Sequence, residues 1–259
     1  MAKSEGGIGE SIKTVVWALL IAGIFRSLFF QPFWIPSESM KSTLLIGDFI
    51  FVNKMAYGYS RYSCPFGLCP ISGRILGSEP ERGDVVVFRH PVNGSDMIKR
   101  LIGLPGDQVQ IKQGVVYING AAAPQVPDGT FEEVFELQGP MANRPLCANA
   151  PSMGEICEKP RFRETLPNGR EHTVLNVGDA PGLPDNSEVY TVPEKHYFFM
   201  GDNRDNSLDS RFPQSAGAVG YVSEEYLIGR ADRVMFSSAG ARMLYFWTWR
   251  SDRFYEAIE

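Results

Sequence analysis

Three polar segments of the chain carry side chains capable of covalent chemistry. Ile35-Pro36-Ser37-Glu38-Ser39-Met40 offers two hydroxyls close together. Met97 to Asp107 sets Lys99 inside the apolar run Ile98-Lys99-Arg100-Leu101-Ile102. Gly201 to Arg211 is acidic and asparagine-rich and contains Ser207, Asp209 and Arg211. In a strand, alternation sends Lys99 to one face and Arg100 to the other, so one of them points towards an interior or a cleft. A lysine so placed loses its proton more readily, because burial disfavours the charged form, and the neutral amine can serve as a base. An arginine cannot. A serine beside a neutral lysine is a nucleophile–base pair that needs no histidine. On residue types alone, this reading stands beside the ordinary one, in which Lys99 is a solvated edge residue.

Other chemistries lack their signatures. There is no phosphate-binding glycine loop, no dinucleotide fingerprint, no His-Glu-x-x-His and no Gly-x-Ser-x-Gly. His90, His172 and His196 are scattered and belong to no triad motif. The segment from Asp205 begins like a calcium loop, but Ser210 stands where glycine is required and Ala216 where glutamate is required. A loop braced by an Asp209–Arg211 ion pair fits it better. Lys41 is a second candidate base, two residues beyond Ser39, although its surroundings in the sequence are not apolar enough to neutralise it. No cofactor and no metal site are expected.

The four cysteines form two close pairs whose spacings do not suit zinc. Of the three possible connectivities, Cys64–Cys69 with Cys147–Cys157 closes the shortest loops. That pairing requires an oxidising compartment; free thiols in the cytosol are the alternative. The net charge of −5 gives no basic footprint for nucleic acid.

The elements that must position these groups are mostly strands. Short β-branched and aromatic runs cover Asp48–Val52, Asp84–Phe88, Met97–Ile102, Val109–Ile111 and Val115–Ile118, punctuated by Gly, Pro and Asp. Tyr197–Met200 and Tyr226–Phe236 continue the pattern. The expected fold is mainly β: an antiparallel domain over 31–259, with a lid or β-ribbon insertion at about 121–193. Residues 12–30 form the one long apolar stretch, and nineteen helical residues span roughly 28 Å, close to the hydrocarbon thickness. Its length, and the absence of a small-x-small site after it, favour an uncleaved anchor over a removed signal peptide, with 1–11 as a short cytoplasmic segment. The aromatic tail at about 243–259 has two readings, a segment packed on the core or a belt resting on lipid.

Taken in order, the motifs resemble the bacterial type I signal peptidase family. The matching pieces are Pro36-Ser37-x-Ser39-Met40 with Thr43-Leu44, Arg82 to Phe88, Lys99-Arg100-x-x-Gly103-Leu104-Pro105-Gly106-Asp107, and Gly201 to Arg211. The resemblance implies a membrane-bound serine endopeptidase that removes signal peptides from exported preproteins after small residues of the Ala-x-Ala type. It implies Ser39 as nucleophile and Lys99 as general base. The Ser39 N–H and the Ser37 hydroxyl would form the oxyanion hole. Ser207 would hydrogen-bond the Lys99 amine, and Asp209 with Arg211 would brace that loop. Phe33, Ile35, Met40, Leu44, Val87 and Ile98 would line shallow substrate pockets.

The implied partners are signal peptides, the lipid bilayer and the export machinery. The implied location is the inner membrane, crossed once, with the catalytic domain outside the cytoplasm. Glu38 and Ser42 depart from residues common in the family, Gly and Pro. A carboxylate facing the dyad would raise the lysine pKa, so Glu38 is expected to point away. The competing readings are a specialised maturation peptidase of the same fold, a self-cleaving repressor relative, and an inert membrane-tethered β-domain. The presence of Ser39, Lys99 and Ser207 counts against the last.

Overall fold

The computed structural model describes residues 8–64, 67–179, 181–240 and 245–259. Helix α1 (Ile8–Leu28) is long and apolar enough to cross a membrane, and the body of the protein covers none of its most apolar window. Glu10 in its first turn and Arg26 in its last complement the helix dipole. The helix starts earlier than the apolar stretch, at Ile8, and ends earlier because Phe30 already belongs to a strand. Residues 1–7 and 241–244, parts of the expected N-terminal segment and aromatic tail, lie outside the described residues.

The strands are β1 (Phe30–Trp34), β2 (Asp48–Asn53), β3 (Tyr59–Ser60), β4 (Arg74–Ile75), β5 (Val85–Arg89), β6 (Asp96–Gly103), β7 (Gln108–Lys112) and β8 (Val115–Ile118). They continue as β9 (Ala121–Ala122), β10 (Gln125–Val134), β11 (Ile156–Thr165), β12 (Glu171–Leu175), β13 (Tyr190–Thr191), β14 (His196–Met200), β15 (Val222–Ser223) and β16 (Leu227–Ser237). The main sheet has seven strands in the order β1-β2-β16-β5-β6-β14-β15, and its neighbours pair antiparallel. The turn that carries Ser39 connects β1 to β2 at one edge, whereas Lys99 lies in β6 near the centre.

The central strands are apolar on both faces, because the sheet is covered on both. In β5, Val85 and Val87 pack with Ile50, Val52, Ile228 and Val234, while Val86 and Phe88 pack with Leu101 and Phe199. Each such side chain contributes roughly 1.5–3 kcal/mol by leaving water. A third cluster joins Ile102 of β6 to Val109, Ile111, Val116 and Ile118 of the four-stranded sheet β13-β7-β8-β9.

Most of the expected insertion is a three-stranded ribbon, β10-β11-β12; β13 instead joins the small sheet. The structure bonds Cys147 to Cys157 at the head of the ribbon and Cys64 to Cys69 in a separate loop. The ribbon is fixed to the body by a buried ion pair. Arg204 donates to both oxygens of Glu164 in β11, at 2.8 and 2.6 Å. Burial alone would push the Glu164 carboxyl up, but the facing Arg204 guanidinium holds it well below the usual carboxylate range. Glu164→Gln leaves Arg204 buried without its counter-charge, so chemical denaturation should show a loss of about 3 kcal/mol or more. Unchanged stability would contradict this role for the pair.

Candidate active site

Three local structures build the site. The turn after β1 is closed by Lys41 N–H to Glu38 C=O at 3.0 Å and by Leu44 N–H to Met40 C=O at 2.7 Å. It is also tied to the Gly201–Arg211 loop, where the Asn203 N–H donates to the Ser39 carbonyl at 3.1 Å. Ser39, Met40 and Lys41 therefore sit in a turn, not in a strand. Gly201 makes this contact possible. A Cβ there would lie 2.3 Å from Ser207 Oγ and 2.5 Å from the Ser39 carbonyl oxygen, closer than non-bonded atoms approach.

Lys99 stands opposite Val86 in the β5–β6 register and is 2% exposed. Its Nζ lies 2.6 Å from Ser39 Oγ and 3.0 Å from the carbonyl oxygen of Ile98. Burial lowers the Lys99 pKa to about 8; Asp209 and Asp202 push it up, and Arg211 pushes it down. The amine is thus poised to exchange a proton near neutral pH, within reach of a hydroxyl.

The charges around this pair are themselves paired. Arg211 donates to both oxygens of Asp209 at 2.9 Å, and the Gly201 N–H donates to Asp209 Oδ2 at 2.9 Å. Burial raises the Asp209 pKa, but Arg211 outweighs it and keeps the carboxyl below its ordinary value. Arg100, on the opposite face of β6 from Lys99, donates to both oxygens of Asp202 at 2.8 Å. The Thr43 hydroxyl donates to the same carboxylate at 2.6 Å.

The remaining candidate residues are distributed unevenly. Ser207 is buried beside Gly201, and its hydroxyl does not bond the Lys99 amine; it faces the Asp209 carboxylate instead and helps to lower that carboxyl's pKa. The expected Ser207–Lys99 bond is therefore replaced by one from Lys99 to the Ile98 carbonyl. Ser37 is half-buried in the same turn, and no acceptor among the described residues takes the Ser39 amide proton. Ile35, Met40, Leu44, Val87 and Ile98 form a single cluster with Phe33 packed against it. Met40 and Leu44 are fully buried, so they are packed as core. A cleft of 610 Å³ is lined instead by Gly83, Asp84, Arg100, Arg170 and Glu259, and neither Ser39 nor Lys99 borders it.

Lys41 corrects the sequence reading. It is 1% exposed, so a burying environment does exist; burial lowers its pKa, against the pull of Glu133 and Glu38. Its Nζ is held by Glu133 at 2.6 Å and by Gln138 at 2.8 Å, not by Ser39. Glu38 engages Lys41, Lys159 and Asn206, and it is not among the charges acting on Lys99. Of the aromatic tail, Trp249 leans on Phe236 in a tilted contact and is still 42% exposed, while Phe246 and Trp247 are more exposed, so the described part divides between its two readings. Among the described residues no cluster of possible metal ligands occurs. Sequence reasoning missed Glu133 and Lys159, which lie outside every motif and meet the site only through folding.

A family model described as "Signal peptidase, peptidase S26" matches residues 8–236. The chain belongs to that family. Signal peptidase I of Rickettsia typhi is 38% identical over 245 residues, covering 91% of this chain and 83% of its own. Signal peptidase I of Rickettsia massiliae is 39% identical over 247 residues, covering 92% and 80%. A crystal structure of a signal peptidase I from Enterococcus faecalis V583 is 28% identical, covers 59% of this chain and 97% of that chain, and has a TM-score of 0.31.

As a family member the chain is a serine endopeptidase that cleaves signal peptides. Its apolar N-terminal helix fits a membrane-anchored peptidase. Within such an enzyme the close approach at Gly201 has a direct consequence. Gly201→Ala must displace the Ser39 backbone, at a cost of about 1–3 kcal/mol in packing. If Ser39 takes part in the chemistry, its displacement should then lower kcat by about tenfold or more. A folded Gly201→Ala variant with parental kcat would show that the contact is not needed.

Proposed function

We propose that Ser39 is the nucleophile and Lys99 the general base of this signal peptidase. The observation that carries the reading is the 2.6 Å approach of a buried lysine amine to a serine hydroxyl. Neutral Nζ takes the hydroxyl proton while Oγ bonds the scissile carbonyl carbon. The resulting ammonium returns that proton to the leaving amine as the peptide bond breaks. Water, deprotonated by the same amine, then hydrolyses the acyl-enzyme and regenerates Ser39. The unpaired Ser39 N–H and the Ser37 hydroxyl stabilise the oxyanion, a contribution that is usually the largest single one in acyl transfer. Asp209 and Arg211 brace the loop that holds this geometry, and Ser207 fills the space beside Gly201.

The substrate is an exported preprotein cut after small residues in an Ala-x-Ala pattern. Phe33, Ile35, Val87 and Ile98 supply the apolar floor of the substrate site, suited to small side chains, and Met40 and Leu44 support it from within the same core cluster. The bilayer is the second partner. Phe25 and Phe30 carry an aromatic path from α1 to Phe51, and Trp34, Phe49 and Phe236 extend it along the same outer face of the sheet. This face is continuous with the anchor and presents apolar rings suited to lipid, among them Trp34, a residue type that favours the interface. Signal peptides emerge at that surface from the export machinery, the third proposed partner. One crossing of the inner membrane by α1, with 31–259 on the extracytoplasmic side, agrees with two disulfides, which persist where the surroundings are oxidising.

The test is cleavage of a preprotein with an Ala-x-Ala site by the detergent-solubilised full chain. Ser39→Ala and Lys99→Ala should each lower kcat/KM by at least about 10²-fold. Because the base must be neutral, parental activity should rise with pH through about 8, the value to which burial lowers Lys99. Cleavage that survives Lys99→Ala would mean that another group is the base.

A further inference from the structure

Four charged side chains join the nucleophile's turn to the ribbon. Glu38 and Lys41 come from the turn, Glu133 from β10 and Lys159 from β11. Glu133 is the hub, with Oε2 2.6 Å from Lys41 Nζ and Oε1 2.6 Å from Lys159 Nζ. Glu38 Oε2 lies 3.4 Å from each of the same two amines. Gln138 closes the arrangement, accepting from Lys41 at 2.8 Å and donating to Glu133 at 2.7 Å. Glu38, Lys41 and Lys159 are at most 3% exposed, so this balanced set of two cations and two anions is almost wholly withdrawn from water.

Two amide side chains, one from the ribbon and one from the Gly201–Arg211 loop, add contacts to the turn. Asn143, in the loop between β10 and β11, donates to the Pro36 carbonyl at 2.8 Å. Asn206 of the Gly201–Arg211 loop donates to Glu38 Oε2 at 3.3 Å. The ribbon end is fastened in turn by the Cys147–Cys157 bond, and Cys157 stands opposite Glu133 in the β10–β11 register.

Stability alone is a poor reason for such a cluster, because the cost of desolvating buried charges often cancels their attraction. A crossed set of charges does favour one arrangement over its neighbours, since any shift leaves a charge unpaired. Ser39 lies in the chain between Glu38 and Lys41, so this arrangement fixes the backbone that carries its hydroxyl. A nucleophile held out of place by an ångström can lose about 10² in rate.

We propose that Glu133, through its paired contacts with Lys41 and Lys159, is a positioning residue for Ser39, so that docking of the ribbon makes the nucleophile competent. The inference rests on the reading of Ser39 as nucleophile. Glu133 acts through Lys41 and the turn, not on the substrate.

The experiment compares the full-length parent, Ser39→Ala, Glu133→Gln, Glu133→Asp and the double variant Lys41→Met/Glu133→Gln. Values of kcat and KM are measured on one preprotein well below each variant's unfolding temperature. Glu133→Gln should lose about tenfold or more in kcat with KM within about twofold of the parent. The double variant removes one charge of each sign and leaves the Glu38–Lys159 pair, so it should recover part of that kcat. A merely structural role would lower the unfolding midpoint and leave kcat unchanged. If Glu133→Gln does not fold, Glu133→Asp, which keeps the charge but shortens the reach, should show a kcat loss of about fivefold. Parental kcat in the folded single variant, or a double variant no faster than folded Glu133→Gln, overturns the proposal. Parental cleavage that survives Ser39→Ala strikes instead at the nucleophile assignment, and the proposal falls with it.

Discussion

The structure is organised around one unfavourable act, the removal of a lysine amine from water beside a serine hydroxyl. An ammonium at the Lys99 position would be stabilised by water that the fold excludes, so burial lowers its pKa to about 8. Nearby carboxylates would restore the charge if they were free to do so. They are not free, because Asp209 is engaged by Arg211 and Asp202 by Arg100. Each carboxylate that raises the Lys99 pKa is paired with its own arginine, which limits how far it favours the ammonium. The arginine of the β6 dipeptide thus serves the lysine next to it, from the other face of the strand.

This arrangement explains why the site is assembled from distant pieces. Ser39 sits in an edge turn, Lys99 in a central strand, and the charges that act on Lys99 in a loop after β14. A strand gives Lys99 rigidity and burial; a turn leaves the Ser39 N–H free of sheet pairing. The two meet because Gly201 lets the loop approach the Ser39 backbone without a side chain between them. The ribbon adds a second attachment, through charges that touch the turn but not Lys99.

Much of this was legible in the residues. Alternation through Ile98-Lys99-Arg100-Leu101 assigns the two basic side chains to opposite faces, and short β-branched runs between Gly and Pro mark the main strands. The Asp209–Arg211 pair is readable because its partners are two residues apart. The environment of Lys41 was not readable, since its partner Glu133 is 92 positions away and belongs to no motif. Nor could spacing settle Ser207: whether a loop hydroxyl reaches an amine depends on a difference of an ångström, and here the Ile98 carbonyl accepts that bond. The boundary of α1 shifted for a related reason. Hydrophobicity continues through Phe29 and Phe30, but the ladder with β2 claims Phe30 for the sheet.

The chemistry proposed for Ser39 depends on the protonation state of one amine. The most direct measurement is the titration of Lys99 by nuclear magnetic resonance, with isotope-labelled lysine in the detergent-solubilised enzyme and Lys99→Arg to assign the signal. A side-chain pKa of about 8 is expected for Lys99, as its burial requires. A Lys99 signal titrating at the ordinary lysine value of 10.5 would contradict it, because the amine would then be protonated wherever the enzyme works.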